Sequence, residues 1–456
     1  MVSQVRDRVA TTDAQGRRIK LFPSEVPKNG FWKRLRFKLQ WALIAIYLIV
    51  PWLTLNGHPV LQIDLEHRRF SVLGVLFFAH EMPNLVFVVL TGLLFIALMT
   101  AIFGRIWCGW SCPQTVFLEQ VFRPIERFLI GDHFAQRALS QAPWSVRKVS
   151  LQTAKWLCFT MVALILSHSF LGYFVGGPSS FQYLTTSPSL HPVAFFWVWL
   201  LVLVVLFDFG WFREQFCLIA CPYGRFQSVM MDEHSLFLAY DEKRKDCIEC
   251  NKCVTVCPTG IDVRNGLQFE CIACTACADA CDSVMLKIGK PTKLIGYGSM
   301  KSLQGMAPKV FRGRTWVYAT LMCISLGFLI VRLSQRVELQ SEVQRAVGKP
   351  YELVELNGET FVLNQFKIRY YNLDWSVHQA GVALSARVGS RAELIQGAYQ
   401  TNQIESGKSE EQQFFIKIPL SEFHAMEVKS LAVETYWQGR TTQQINEVVL
   451  MGPDVK

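Results

Sequence analysis

The chain has 456 residues, 51% of them hydrophobic and only 18% charged, with a mean hydropathy of +0.23 and a formal net charge of +10. That length allows several domains, and that apolarity excludes an ordinary soluble globular protein. The positive excess sits beside apolar stretches, where anionic lipid accounts for it, so a nucleic-acid partner is excluded as well.

Residues 1–38 form a basic entry segment with ten Lys/Arg, among them Arg17, Arg18, Lys20, Lys33, Arg34, Arg36 and Lys38. No short apolar core or small-residue cleavage site precedes the first apolar stretch, so no signal peptide is expected. Five stretches approach the length that crosses about 30 Å of hydrocarbon: residues 39–55, 85–104, 156–174, 192–212 and 315–331. The predicted class is a multidomain membrane protein with a helical bundle of five spans.

Loop charges set its orientation. The segment 106–155 carries Arg123, Arg127, Arg137, Arg147 and Lys148, whereas 176–191 has no Lys or Arg, and 213–314 is basic again. The N-terminus and the segment between the fourth and fifth spans are therefore expected inside, and the C-terminal tail outside, a bacterial cytoplasmic membrane. Loop 56–84 fits less well, since it carries Arg68 and Arg69 on the outer side. Its apolar part, 72–79, is too short to cross and is expected to dip into the interface.

Two cysteine pairs lie at the inner ends of the second and fourth spans: Cys108 and Cys112 before Pro113, and Cys217 and Cys221 before Pro222. The recurrence predicts a duplicated hairpin. Thiols at i and i+4 on one helical face could chelate a soft cation such as Cu(I), with the proline ending or kinking the helix. Against this stands simple burial of small residues, which is the reading for the solitary Cys158 and Cys323. His168 in the third span, His191 at the start of the fourth and Asp208 within it are ionisable groups in an apolar setting, where such groups mark pathways or ligand sites. His168 is a candidate metal ligand, whereas Asp208 could simply pair with Arg213 or Arg225. His58, His67 and His80 in the outer loop could collect a cation, although three scattered histidines are more often just a wet loop. No Cys-x-x-Cys-His run exists, so covalent c-type haem is not expected.

The most specific pattern follows. Cys247, Cys250, Cys253 and Cys257-Pro258, then Cys271, Cys274, Cys277 and Cys281, repeat one spacing twice, the spacing of a two-cluster bacterial ferredoxin. Structural zinc favours two separated pairs, and disulfides need an oxidising compartment. By the crossed rule, Cys247, Cys250, Cys253 and Cys281 hold one 4Fe-4S cluster, while Cys271, Cys274, Cys277 and Cys257 hold the other. Asp282 stands where a second proline is usual, so the turn after Cys281 is expected to differ. Lys243, Arg244, Lys245 and Lys252 give this module a basic face for a reduced, acidic electron donor.

Beyond the fifth span the chain turns to short alternating runs, at 359–363, 366–371, 381–388, 413–418 and 431–436, separated by turns such as Asn357-Gly358 and Gly389-Ser390. They predict a small all-β sandwich of immunoglobulin-like type, without the cysteines of antibody domains. The domain order read from the sequence is 1–38 basic segment, 39–236 four-span part, 237–300 ferredoxin module, 315–333 fifth span and 338–456 outer β domain.

The chain resembles the FixG/RdxA family, membrane-bound polyferredoxin accessory proteins of cbb3-type cytochrome c oxidase assembly. The likeness rests on the basic entry with Pro51-Trp52 and Asn56-Gly57, the two Cys-x3-Cys-Pro motifs, the doubled ferredoxin run and the β tail. It implies two 4Fe-4S clusters and reduction of Cu(II) to Cu(I), with Cys108, Cys112, Cys217 and Cys221 as copper ligands. It further implies oxidase subunits or copper-delivery proteins as partners, and a homodimer is compatible with it. Two other classes remain open: a quinol-oxidising electron conduit to a periplasmic reductase, and a non-enzymatic assembly scaffold.

Overall fold

Among the described residues of the computed structural model, five helices are long and apolar enough to cross a membrane: Phe31–Trp52, Asn84–Phe103, Val146–Val175, Pro192–Phe212 and Gly313–Ser334. The structure describes residues 20–55, 58–66, 69–78, 81–336, 339–356, 358–373, 377–384, 392–396, 402–405, 408–426, 430–437 and 444–453. Exposed apolar side chains such as Val86, Leu93, Leu157, Val204, Ile324 and Phe328 clothe these helices in a surface suited to lipid.

The first helix begins at Phe31 rather than at 39. Its Lys and Arg residues are good helix formers, and its free N-terminal N–H groups find a carboxylate described below. The third runs through 30 residues from Val146, started by Ser145, whose Oγ accepts from the Lys148 backbone N–H at 3.2 Å. The fourth is α-helical over Pro192–Val205 and widens to a π-turn over Leu206–Phe212. A hydrogen bond of 2.9 Å between Thr91 and Ser325 ties the second helix to the fifth.

Phe122, fully buried, stacks on Phe209 and meets Phe159 edge-on, both at 4.9 Å, so the segment after Pro113 packs into the bundle core. Strands Arg69–Val72 and Val75–Phe78 are neighbours joined through Leu73 and Gly74, both at positive φ (51° and 77°), the conformation of a tight hairpin turn.

In the cysteine-rich module, antiparallel strands Phe237–Tyr240 and Ile295–Gly298 bracket both runs. The second run ends in helix Ala276–Lys287, which continues past Cys281 because Asp282 leaves the backbone donor that proline would remove. Asp282 Oδ1 then accepts from the Lys293 N–H at 2.7 Å.

The C-terminal region contains two antiparallel sheets over one core, including Val362, Ile368, Phe414, Ile416, Val433 and Trp437. The two runs expected at 359–363 and 366–371 form one strand, Glu359–Asn372. Asn364 does not break it, because its buried amide is satisfied by the Met451 carbonyl and N–H at 2.9 and 2.8 Å. Strands Ser409–Pro419 and Ser430–Trp437 cover two further runs and His378–Leu384 covers 381–384 of a third, while 385–388 and Gly389-Ser390 lie outside the described residues.

Candidate iron-sulfur and thiol sites

The two ferredoxin runs fold alike in backbone detail. In the first, Glu249 and Asn251 have φ of 53° and 54°; at the matching places of the second, Ala273 and Thr275 have 52° and 63°. A left-handed residue other than glycine costs about 1–2 kcal/mol. Four of them at repeated positions curl each Cys-x2-Cys-x2-Cys loop around a concavity.

Two cavities result. One is lined by Cys247, Cys250, Cys253 and Cys281 and holds about 360 Å³ of atom-free space. The other is lined by Cys257, Cys271, Cys274 and Cys277, with Cys253 at its edge, around about 330 Å³. Among the described residues no three His, Cys, Asp or Glu side chains converge on a point for one ion. The thiols surround volumes instead, which suits a four-iron cube and not a single zinc. Burial pushes the Cys271 and Cys281 thiols up to about 12 and raises Cys257 as well, so iron binding must displace their protons.

The membrane-edge pairs repeat each other too. Four residues before Cys108 and Cys217 stand Gly104 (φ 59°, ψ −133°) and Arg213 (φ 53°, ψ −122°), the same sharp break after a spanning helix. Cys112 N–H reaches the Trp107 carbonyl, and Cys221 N–H the Phe216 carbonyl, at 2.9 and 2.8 Å. Cys112 and Cys221 are both extended, each preceding a proline that opens the next helix, Pro113–Phe117 or Pro222–Met230. The thiols of a pair therefore do not share one continuous helical face; proline starts a helix here, where its missing N–H costs nothing.

The four thiols lie close enough to influence one another electrostatically, although among the described residues no three of them converge on one point. Burial pushes Cys108 up to about 11, with Arg105 opposing and Cys112 and Cys221 adding to the rise. Burial raises Cys217 further, helped by Cys112, Cys108 and Cys221. Cys108 Sγ donates to Gln227 Oε1 at 3.3 Å, and Arg105 Nε donates to the same oxygen at 2.8 Å. Cys108 also shares a buried cluster with Ile272 and Cys274 of the second ferredoxin run. Trp110 Nε1 donates to the Ala273 carbonyl at 3.3 Å and to Tyr297 OH at 3.0 Å, and Arg36 donates to the Cys274 carbonyl at 2.5 Å. The first pair thus rests against the loop between Cys271 and Cys274.

Several charges read as loop signals are buried and paired. Arg213 grips Glu126 with two bonds of 3.0 and 2.6 Å, while Lys155 lies 3.7 Å from the same carboxylate. Arg123 bridges Glu119 and Glu214. These links clamp the helical segment after the first thiol pair to the break before the second. Asp208 pairs with none of the three Arg213 side-chain nitrogens, which reach the Gly210 carbonyl and Glu126; its Oδ1 accepts from Gln114 at 3.0 Å, and that amide also reaches the Arg213 carbonyl at 3.1 Å. The Arg225 side chain lies outside the described set.

His168 is not brought to the four thiols. Its Nδ1 meets the Leu164 carbonyl at 3.0 Å, and it lines a separate cavity with Pro51, Trp52 and Phe181. His191 stacks on Tyr183 at 4.0 Å. His67, His80 and the His58 side chain lie outside the described residues, as do Asn56 and Gly57. Cys158 is half-buried, but Cys323 is exposed rather than packed. On the expected basic face, Lys243, Lys245 and Lys252 are exposed, whereas Arg244 is held by Asp246 at 3.0 Å.

Sequence reasoning missed Asp279. Its carboxylate accepts from the Trp32 and Lys33 backbone N–H groups at 3.1 and 2.6 Å, capping the first spanning helix from within the ferredoxin module. Only the pairing of distant segments shows this.

Residues 212–246 and 242–300 match the model of a 4Fe-4S dicluster domain, and residues 85–134, with the first thiol pair, that of a 4Fe-4S binding domain. With five apolar helices beside two four-thiol cavities, these matches define a membrane-associated iron-sulfur electron-transport protein. Protein RdxA of Cereibacter sphaeroides is 32% identical over 408 residues, 83% of this chain and 84% of that protein. The nitrogen fixation protein FixG of Rhizobium meliloti is 35% identical over 312 residues, 62% of this chain and 58% of that protein. The chain belongs to the FixG/RdxA family. YccM of Escherichia coli, named for electron transport, is 25% identical over 195 residues, 39% of this chain and 48% of that protein. No solved structure matches the chain.

Proposed function

We propose that the chain lies in the bacterial cytoplasmic membrane, ferredoxin module inside and C-terminal sheets outside, and passes electrons to Cu(II). The Cu(I) formed then serves assembly of a cbb3-type cytochrome c oxidase. The observation that carries this reading is the meeting of Cys108, Cys112, Cys217 and Cys221 beside the loop between Cys271 and Cys274. Each four-iron cube, when bound, stores and releases one electron at a time. In this reading Cys247, Cys250, Cys253 and Cys281 hold one cube, and Cys257, Cys271, Cys274 and Cys277 the other.

The exposed Lys243, Lys245 and Lys252 near the first cavity attract an acidic donor. Arg105 and Gln227 fix the position of Cys108. The thiols then take the copper: one electron converts Cu(II) into Cu(I), the soft form that sulfur ligands hold. The two sheets of the tail, read as an immunoglobulin-like sandwich, offer a surface to the oxidase or to a copper carrier.

The test is replacement of Cys108 and Cys112, or of Cys217 and Cys221, by Ala in anaerobically purified protein. Stoichiometric Cu(I) binding and reoxidation of the reduced protein by Cu(II) should disappear while iron content stays unchanged. Copper binding and reoxidation at wild-type levels in both double variants would refute the reading.

A further inference from the structure

A cavity with about 720 Å³ of atom-free space lies beside the first thiol pair, between Leu39 of the first span and Phe95 of the second. Leu39, Phe95 and Trp107, at its wall, are 38%, 46% and 40% exposed, so its mouth opens between apolar side chains on the outer surface of the helices. Its inner wall is Trp110, 8% exposed, whose indole N–H is bonded to the Ala273 carbonyl between Cys271 and Cys274. One side chain therefore separates a lipid-accessible chamber from the loop that lines the second four-thiol cavity.

Its polar end is directional. Thr100 Oγ1 donates to the Ile96 carbonyl at 2.8 Å, so in its 2.8 Å contact with Tyr223 it must accept the tyrosine proton. The Tyr223 oxygen, which the Gln227 side chain also approaches, keeps a further lone pair as an acceptor for a hydroxyl on a guest.

We propose that this chamber binds the ring of a lipid-soluble quinol. A flat ring suits the faces of Phe95, Trp107 and Trp110, its hydroxyl donates to Tyr223, and its apolar tail leaves through the mouth. A lipid acyl chain would use neither the acceptor nor the neighbouring redox loop. Oxidation to the quinone gives up two electrons and two protons. Two iron-sulfur clusters held by the eight ferredoxin thiols would supply a one-electron acceptor for each electron, and the two protons would pass to water at the inner edge of the membrane. The larger cavity at His168 lacks this link, since no residue lining it bonds to the loop between Cys271 and Cys274 as Trp110 does. The proposal rests on the electron-transport reading and is independent of copper, because the four thiols are untouched by the variants that test it.

The full-length protein, purified anaerobically in detergent, is titrated with a short-tailed ubiquinol analogue and photolabelled with the matching azidoquinone. Saturable binding and label within residues 95–111 are expected. Ile96→Trp, which fills the chamber from its wall, should weaken binding about tenfold, equivalent to about 1.4 kcal/mol, at unchanged iron content. Tyr223→Phe, which keeps the packing, should weaken the quinol more than the quinone. Partitioning without saturation, label within residues 161–184, or affinity indifferent to Ile96→Trp would each overturn the proposal. If Ile96→Trp loses iron, equal effects of Tyr223→Phe on quinol and quinone overturn it instead.

Discussion

Gly109 lies flat against Cys274: a methyl group on Gly109 would fall 2.7 Å from the Cys274 α-carbon and press on the Ile272 carbonyl oxygen as well. The membrane-edge thiols approach the second ferredoxin run this closely only because residue 109 has no side chain. Gly109→Ala should cost about 1–3 kcal/mol through overpacking. It should also slow reoxidation of the reduced protein by Cu(II), followed by stopped-flow absorbance. A wild-type rate would show that this contact carries no electrons.

Asp279→Ala removes the cap of the first spanning helix and should lower stability by about 0.5–2 kcal/mol, with Asp279→Asn close to wild type. Thermal unfolding in detergent measures both. A side chain at position 30 meets the same carboxylate, since a Cβ there would lie 2.6 Å from Asp279 Oδ2, so Gly30→Ala should also destabilise.

Replacing Arg213 by Leu strands Glu126 with Lys155 alone and should cost about 3–5 kcal/mol, the usual penalty for a buried charge that loses its partner. Burial by itself would raise the Glu126 carboxyl, but Arg213 and then Lys155 more than offset this and hold it below the usual carboxylate range. With the folded value depressed, the stability it contributes is complete above about pH 4.3, the unfolded value, and is lost as pH falls through the folded one. Acid unfolding curves should therefore show a weaker pH dependence for Glu126→Gln than for wild type.

The lining of the two cavities sorts the ligands. Cys257→Ser should disturb the cluster in the cavity shared with Cys271, Cys274 and Cys277, and Cys281→Ser the other, as read by electron paramagnetic resonance together with iron and sulfide counts. Identical spectra from the two variants would contradict crossed ligation.

Reporter fusions after Leu236 should report the cytoplasm and fusions after Asn402 the periplasm, because Lys and Arg alternate across the loops. The same side for both would leave the C-terminal sheets without access to an oxidase partner outside.

Features written locally were legible: the doubled cysteine spacing, the apolar lengths of the spans and the Cys-x3-Cys-Pro repeat. Boundaries moved where polarity was mistaken for an end. Arg36 is 6% exposed and lies inside the first helix, yet four basic residues between 33 and 38 read as a loop before it. Contacts between distant segments left no local trace. Nothing near Asp279 announces a partner at Lys33, and nothing near Arg213 announces Glu126. The two thiol pairs could be predicted to resemble each other, but their meeting depends on a clamp assembled from segments 87 residues apart or more. The charges visible in the sequence offer Asp208 Arg213 or Arg225 as a partner; the amide that reaches it, Gln114, carries no charge, and the Arg225 side chain lies outside the described residues.

Asp279 sits on the same helix as Cys277 and Cys281, two residues from each. The segment that orients the cap is therefore the one whose cysteines iron would hold in place. Starving the protein of iron should loosen that helix turn, release the amides of Trp32 and Lys33, and fray the start of the first span beside Lys20–Gly30. Limited proteolysis would then cut iron-free chains there first, so the cell could distinguish empty from filled protein at its amino end and clear the empty form without a dedicated sensor.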